Sequence, residues 1–128
     1  MSKAVLICGD RYWKDEKTIE DFIRTLPSDT RVITGGAKGA DTIAENLRKK
    51  RGLDGKVYKA EWNILGNAAG PIRNRRMIME ERPYLVVAFH NKIFRSKGTI
   101  DTLRRARQRG IPSQLRKSDG SIKHDPKV

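Results

Sequence analysis

Arg31-Val32-Ile33-Thr34-Gly35-Gly36-Ala37-Lys38-Gly39-Ala40-Asp41 is the most informative stretch of the chain, because a glycine-rich turn joins a short strand pattern to a helix start. Glycines at such a turn allow positive φ and a close approach of the backbone to a ligand. The free N–H groups of the helix start would point into the turn, where the helix dipole favours an anion. The stretch predicts a phosphate-binding turn, and the alternative is a tight turn that holds no ligand.

The rest of the chain repeats the same strand–helix order. Strands are predicted at 4–8, 31–34, 56–60, 84–89 and 111–115, and helices at 19–26, 41–50, from Pro71 onward, and at 98–109. On the helix that begins at Pro71, Ile72, Arg76 and Met79 are expected to share one face. Pro112 cannot donate to a neighbouring strand, which predicts an edge position for the last strand. The order predicts an α/β fold, a three-layer sandwich with a parallel sheet of about five strands and helices on both faces.

Length and composition fit one domain. The chain has 128 residues with 37% apolar and 34% charged side chains, and we expect a domain at 1–117 and a mobile polar tail at 118–128. No apolar run approaches the roughly 20 residues that span a bilayer. The first residues are too short an apolar run for a signal peptide. Cys8 is the single cysteine and is expected to be buried, which fits a cytoplasmic protein.

The charge is strongly positive and uneven. The net charge is +13, and nine Lys or Arg residues lie between Asn91 and Lys117 against the single acid Asp101. This balance favours anionic partners such as nucleotides or nucleic acid. Weak association driven by counterions is the alternative.

Three turns are expected to meet at one edge of the sheet. In parallel α/β folds, ligands bind beyond the carboxyl ends of the strands, near the point where the strand order reverses. The turns that would lie there are Gly9-Asp10-Arg11, 35–41 and 90–99. Arg11 is a candidate phosphate ligand. Tyr12 and Trp13, which follow it, would form a stacking wall for a base or pack in the core.

A fourth segment adds a second anion site. Small residues precede a helix whose first turns carry Arg73 and Asn74, and a helix start beside an arginine favours an anion. Thr99 would cap its helix or bond a phosphate oxygen. Lys38 is either a phosphate ligand or a solvated charge, and Asp41 either caps its helix or accepts from a ribose hydroxyl.

The candidate ligand-binding residues share these four segments. They are Gly9, Asp10, Arg11, Gly35, Gly36, Ala37, Lys38, Gly39, Asp41, Arg73, Asn74, Gly98 and Thr99. Arg73 is also the candidate catalytic residue. His90 and His124 lie far apart and lack cysteine partners, so no metal site is predicted, and no cofactor is expected.

Together these motifs resemble the SLOG superfamily, most closely its YspA-like branch, from about Ala4 to Leu115. The resemblance implies a Rossmann-like fold that binds nucleotides or nucleotide-derived molecules, often as a homo-oligomer. The segments that carry it are Gly9-Asp10-Arg11, Gly35-Gly36-Ala37-Lys38-Gly39-Ala40-Asp41, Ala60-Glu61-Trp62, Ala69-Gly70-Pro71-Ile72-Arg73-Asn74 with Met77, Gly98-Thr99, and Gly110-Ile111-Pro112.

Two alternative functions follow from the resemblance. LOG enzymes of the superfamily cleave the base–ribose bond of nucleoside monophosphates with an arginine and a glutamate. Arg73 matches that arginine, Asn74 replaces the lysine beside it, and Thr102 stands at the glutamate position. A threonine is not a general base at neutral pH, which favours binding over hydrolysis. Relatives similar to DprA bind single-stranded DNA, so a nucleic-acid partner on the basic stretch 92–117 is the other alternative.

Overall fold

The structure, a computed structural model that describes residues 3–128, contains one sheet with the strand order β3-β2-β1-β4-β5-β6. The strands are β1 (Ala4–Gly9), β2 (Arg31–Thr34), β3 (Asp54–Val57), β4 (Leu85–Phe89), β5 (Ser113–Arg116) and β6 (Ile122–His124). The first five are parallel, and β6 runs antiparallel to β5. The predicted α/β class is confirmed. Residues 1 and 2 of the predicted domain lie outside the described residues.

The described residues also form five α-helices. They are α1 (Glu16–Arg24), α2 (Ala40–Arg51), α3 (Trp62–Leu65), α4 (Ala69–Glu81) and α5 (Lys97–Gln108), with 3₁₀ turns at Gly66–Ala68 and Ile93–Arg95. In residues 3–128, no helix is both long enough and apolar enough to span a bilayer.

Each face of the sheet packs in a hydrophobic core of its own. On β1, Val5 and Ile7 pack with α1 and α2, while Leu6 and Cys8 pack with α4 and α5. This alternation follows from the two-residue period of a strand, and both faces are apolar because helices cover both. Each fully buried side chain of this kind contributes about 1.5–3 kcal/mol to folding. The result is the predicted three-layer sandwich.

The structure corrects the sequence predictions around β3 and α4. The third strand is at Asp54–Val57 and not at 56–60, and a short helix, α3, lies between β3 and α4. The predicted inner face of α4 is also wrong. Ile72, Arg76 and Met79 are exposed, and the buried positions include Asn74, Met77 and Ile78. Helix α4 therefore turns a polar side chain, Asn74, toward the sheet.

The C-terminal segment is part of the sheet, contrary to the mobile tail expected at 118–128. Strand β6 covers β5, so β5 is not the edge strand that Pro112 predicted. The Asp125 side chain accepts a hydrogen bond from the Ser113 N–H at 3.0 Å. Ser118 donates from its N–H and hydroxyl to Asn91 Oδ1, at 2.9 and 3.1 Å. The segment thus connects the loop after β4 to the start of β5.

The strand order places a cleft between β1 and β4. The chain builds β1, β2 and β3 outward in one direction and then returns to place β4 and β5 on the other side of β1. The turns after β1 and β4 consequently diverge, and a crevice opens at their carboxyl ends.

Candidate functional site

A cavity of about 580 Å³ fills this crevice. The turns after β1 and β4 and the starts of α2, α4 and α5 form its walls. Nine of the predicted residues line it: Gly9, Asp10, Arg11, Ala37, Asp41, Arg73, Asn74, Gly98 and Thr99. Gly35, Gly36, Lys38 and Gly39 are not among the lining residues. The residues that the sequence did not single out as ligand-binding include Cys8, Met77, His90, Asn91, Lys92, Arg95, Ser96 and Thr102.

The glycine turn already holds an anion, the side chain of Asp41. The Gly35 and Ala37 N–H groups donate to Asp41 Oδ2 at 3.1 and 3.3 Å. Burial raises the pKa of this carboxyl to about 6, and its two amide donors and Arg73 oppose the rise only in part. The sequence predicted that the N–H groups of this turn bind a phosphate. In the structure, two of these N–H groups donate to the side chain of Asp41, at the start of the helix that follows the turn.

The glycines of the turn serve close packing within the protein. A Cβ on Gly39, whose φ is +76°, would lie 2.3 Å from the Asp10 carbonyl oxygen. A Cβ on Gly35 would lie 2.5 Å from Arg73 Nη1, and one on Gly36 would lie 2.7 Å from Val57. Lys38, in the same turn, is exposed. The tight-turn alternative accounts for these three glycines.

Arg73 and Asn74 join three walls of the cavity. Arg73 donates through Nη1 to the Gly35 carbonyl and through Nε to Asn74 Oδ1, the latter at 2.8 Å. Asn74 Nδ2 in turn donates to the Gly98 carbonyl at 3.3 Å and to Asp101 Oδ2 at 3.0 Å. These bonds connect the β2–α2 turn to α4 and α4 to α5. The buried position of Asn74 is explained, because its amide has protein partners on both sides.

The start of α5 is the basic end of the cavity. Ser96 caps the helix by accepting from the Thr99 N–H at 3.3 Å, and its hydroxyl donates to Thr99 Oγ1 at 2.8 Å. The Thr99 hydroxyl proton remains available to an acceptor in the cavity. Lys92 and Arg95 line the same end, and a Cβ on Gly98 would meet nothing within 4 Å. The positive charges of these side chains, the dipole of α5 and the open space beside Gly98 together favour an anion at this end of the cavity.

His90 lies buried in the wall after β4. Its Nδ1 accepts from the Lys92 N–H at 2.9 Å, so the ring proton of the neutral form is on Nε2. Burial lowers the pKa of His90, although Asp10 favours the charged form. The sequence predicted that the turn 90–99 lies at this edge of the sheet, but it considered the His90 side chain itself only as a metal ligand. Among residues 3–128, no three His, Cys, Asp or Glu side chains are grouped as metal ligands.

The two aromatic residues after Arg11 have different roles. Trp13 is buried against Phe89, with ring centroids 5.8 Å apart, so it is a core residue and not part of a stacking wall. Tyr12 is 75% exposed and lines the cavity. Cys8 also lines the cavity, and burial raises the pKa of its thiol.

Comparisons with known proteins agree with this architecture. The sequence model of the YspA, cpYpsA-related SLOG family matches residues 3–64. The gene 61 protein of Mycobacterium phage D29 is 34% identical over 119 residues, which cover 86% of this chain and 93% of the phage protein. The crystal structure of DNA processing protein A (DprA) from Streptococcus pneumoniae superposes with a TM-score of 0.70 at 20% identity, over 90% of this chain and 50% of that one. The chain thus spans half the length of the DprA structure, and at this identity the likeness shows the fold.

Proposed function

Because the chain belongs to the YspA, cpYpsA-related SLOG family, we propose that its cavity binds a nucleotide or a nucleotide-derived ligand. The observation that supports this most strongly is a cavity of about 580 Å³ at the point where the strand order reverses, with a basic wall at the start of α5. Small-molecule sites usually measure about 300–1,000 Å³, so a nucleotide-sized ligand is compatible with the space.

The charged side chains that line the cavity predict how the ligand is oriented in it. Lys92, Arg95 and the Thr99 hydroxyl lie at the α5 end and would hold the phosphate. Asp10 and Asp41 line the cavity at the turns after β1 and β2, where carboxylates can accept from ribose hydroxyls or base amines, and Arg11 and Arg73 line it beside them. The proposed phosphate position is therefore the start of α5, and the glycine turn shapes the wall beside it.

Titration calorimetry tests the proposal with nucleoside monophosphates, cyclic nucleotides and ADP-ribose. Arg95→Ala should weaken binding about ten-fold, the usual scale of one charge-assisted hydrogen bond. Arg107→Ala is the matched control, because it removes the same charge from an exposed position of α5 outside the cavity lining. No binding by the folded protein, or equal losses in both variants, would contradict the proposal.

Hydrolysis of a base–ribose bond is the second candidate. Asp41 favours it, because a cavity-lining carboxyl with a pKa of about 6 is suited to proton transfer near neutral pH. Thr102, which stands at the position of the catalytic glutamate of LOG enzymes, lines the cavity and donates to the Gly98 carbonyl at 3.2 Å. Incubation with nucleoside monophosphates should then release free base, and Arg73→Ala should abolish the release. If the nucleotide stays intact after prolonged incubation, hydrolysis is excluded and binding is the remaining function.

Nucleic acid is the remaining candidate partner. The exposed arginines of α5, Arg104 and Arg107, continue the basic surface beyond the cavity. Binding there would weaken steeply with added salt, since phosphate contacts release counterions. A flat response between 50 and 200 mM salt, with a single-stranded oligonucleotide as probe, would exclude this mode.

Self-association, which the family resemblance implies, stays a prediction. Exposed apolar side chains around α3, namely Trp62, Ile64 and Leu65, support a contact there. Light scattering should then give a mass of about twice 14.6 kDa or more, and Ile64→Glu should return it to 14.6 kDa.

A further inference from the structure

We propose that Tyr12 is the surface on which the base of the ligand stacks. The cavity would then select a phosphorylated ligand that carries a nucleobase over a bare sugar phosphate. The inference rests on the proposed function, because it assigns the other half of the same cavity. It depends on the placement of one aromatic ring at the turn after β1, which lines the same cavity as the start of α5.

The backbone that carries Tyr12 is fixed from several sides. The Tyr12 N–H donates to Asp10 Oδ1 at 2.9 Å. The Trp13 and Ala40 N–H groups both donate to the Asp10 carbonyl, each at 3.1 Å. Gly39 packs so closely on this turn that a Cβ would lie 2.3 Å from the same carbonyl oxygen. The turn is therefore held in one conformation before any ligand arrives, which lowers the entropy cost of binding.

The side chain on this fixed turn is itself left open. Tyr12 is 75% exposed, whereas its neighbour Trp13 is 5% exposed and anchored in the core. An exposed aromatic ring at a cavity wall, carried on a fixed backbone, is suited to receive another flat ring. Packing of the protein does not account for the position of this side chain.

One face of the Tyr12 ring already has a partner. The Arg11 guanidinium carbon lies 5.5 Å from the ring centroid, within the range of a cation–π contact. The arginine covers one face and leaves the other for a base. Base–aromatic stacking tolerates different bases, because each has a π-face. The arrangement therefore predicts a preference for nucleobase-containing ligands without a strong choice among bases.

Phe94 supplies a matched control. It is 74% exposed, and the Arg95 guanidinium carbon lies 5.7 Å from its ring centroid, so it carries the same kind of pair as Tyr12. Phe94 is not among the residues that line the cavity. Loss of an exposed aromatic ring in general would affect both positions, whereas stacking of a base in the cavity requires only Tyr12.

The test compares the four nucleoside 5′-monophosphates with ribose 5-phosphate by calorimetry. The wild-type protein should bind the tightest monophosphate at least about ten-fold more strongly than ribose 5-phosphate. Tyr12→Leu should remove that difference, Tyr12→Phe should retain it, and Phe94→Leu should leave it unchanged. With 2-aminopurine riboside monophosphate as probe, stacking should quench the fluorescence of the base, and Tyr12→Leu should abolish the quenching.

The outcomes separate this inference from the proposed function. Equal affinity of the wild-type protein for ribose 5-phosphate and the monophosphates would overturn the stacking role and keep the phosphate site. An unchanged preference in Tyr12→Leu, or an equal loss in Phe94→Leu, would also overturn it. Absence of binding by these probes, and also by the cyclic nucleotides and ADP-ribose, would refute the proposed function and this inference together.

Discussion

Replacing Asp41 with asparagine should remove most of one pH-dependent contribution to stability. The carboxyl is 5% exposed and accepts the Gly35 and Ala37 N–H groups through one oxygen. An asparagine amide has the same shape, and its oxygen can accept the same two bonds. The substitution therefore changes the charge and the titration while it leaves the turn its acceptor.

The magnitude follows from the shift of the Asp41 pKa. The pKa of the carboxyl is about 6 in the folded protein against an ordinary value of 3.8. The folded state thus holds this proton more tightly than the unfolded chain does. The resulting stability is fully present below about pH 4 and is lost as the pH rises through about 6. At 1.36 kcal/mol per pKa unit, the loss amounts to about 3 kcal/mol.

Urea unfolding followed by tryptophan fluorescence measures this effect. Between about pH 4 and pH 7.5, the free energy of unfolding of Asp41→Asn should rise relative to wild type by about 2.4 kcal/mol, most of the full shift. Asp21→Asn is the control, because Asp21 is exposed and forms an i,i+4 pair with Lys17 on α1. Loss of such an exposed pair should have only a small effect on the free energy of unfolding. A constant difference for Asp41→Asn across the same range would refute the assignment of a buried, proton-holding carboxyl.

Two further predictions concern the packing around the cavity. Gly39→Ala should cost about 2 kcal/mol or more in urea unfolding, because the new Cβ clashes with the Asp10 carbonyl at positive φ. Gly52→Ala, which has a similar φ but open space, should cost about 1 kcal/mol, and equal costs would refute the clash. Truncation after Lys117 removes β6 and the hydrogen bonds to Asn91, and should lower the Tm by about 5 °C or more; an unchanged Tm would contradict a structural role for that segment.

The sheet could be predicted where its strands are buried on both faces. Strands β1 and β4 are continuous apolar runs, because helices cover both sides of them, and such runs are visible in the sequence. Strand β3, with exposed Asp54 and Lys56, has no such run. Its limits follow from pairing with β2, where Thr34 lies opposite Val57. That register depends on tertiary contacts that no local pattern contains.

The site could be predicted as a set of turns, while the partners of its polar groups could not. The parallel order placed the turns after β1, β2 and β4 together, and the structure does so. The sequence could not show that the Asp41 side chain turns back to the Gly35 amide, because the two are six residues apart. Likewise, the sequence could not show that Asn74 is buried, because its partners, the Gly98 carbonyl and Asp101, lie on a different helix, α5.

The bond from Ser118 to Asn91 affects when the cavity wall is completed during synthesis. A nascent chain that has emerged only through β5 already contains all five parallel strands and every helix described here. It still lacks the group that holds Asn91 in the cavity wall. Because chains emerge from the N-terminal side first, the sheet can form before this wall is fixed. A stalled ribosome complex in which a flexible linker carries residues through Lys117 clear of the exit tunnel should therefore be folded and yet bind ligand more weakly than the same complex with the chain that includes β6.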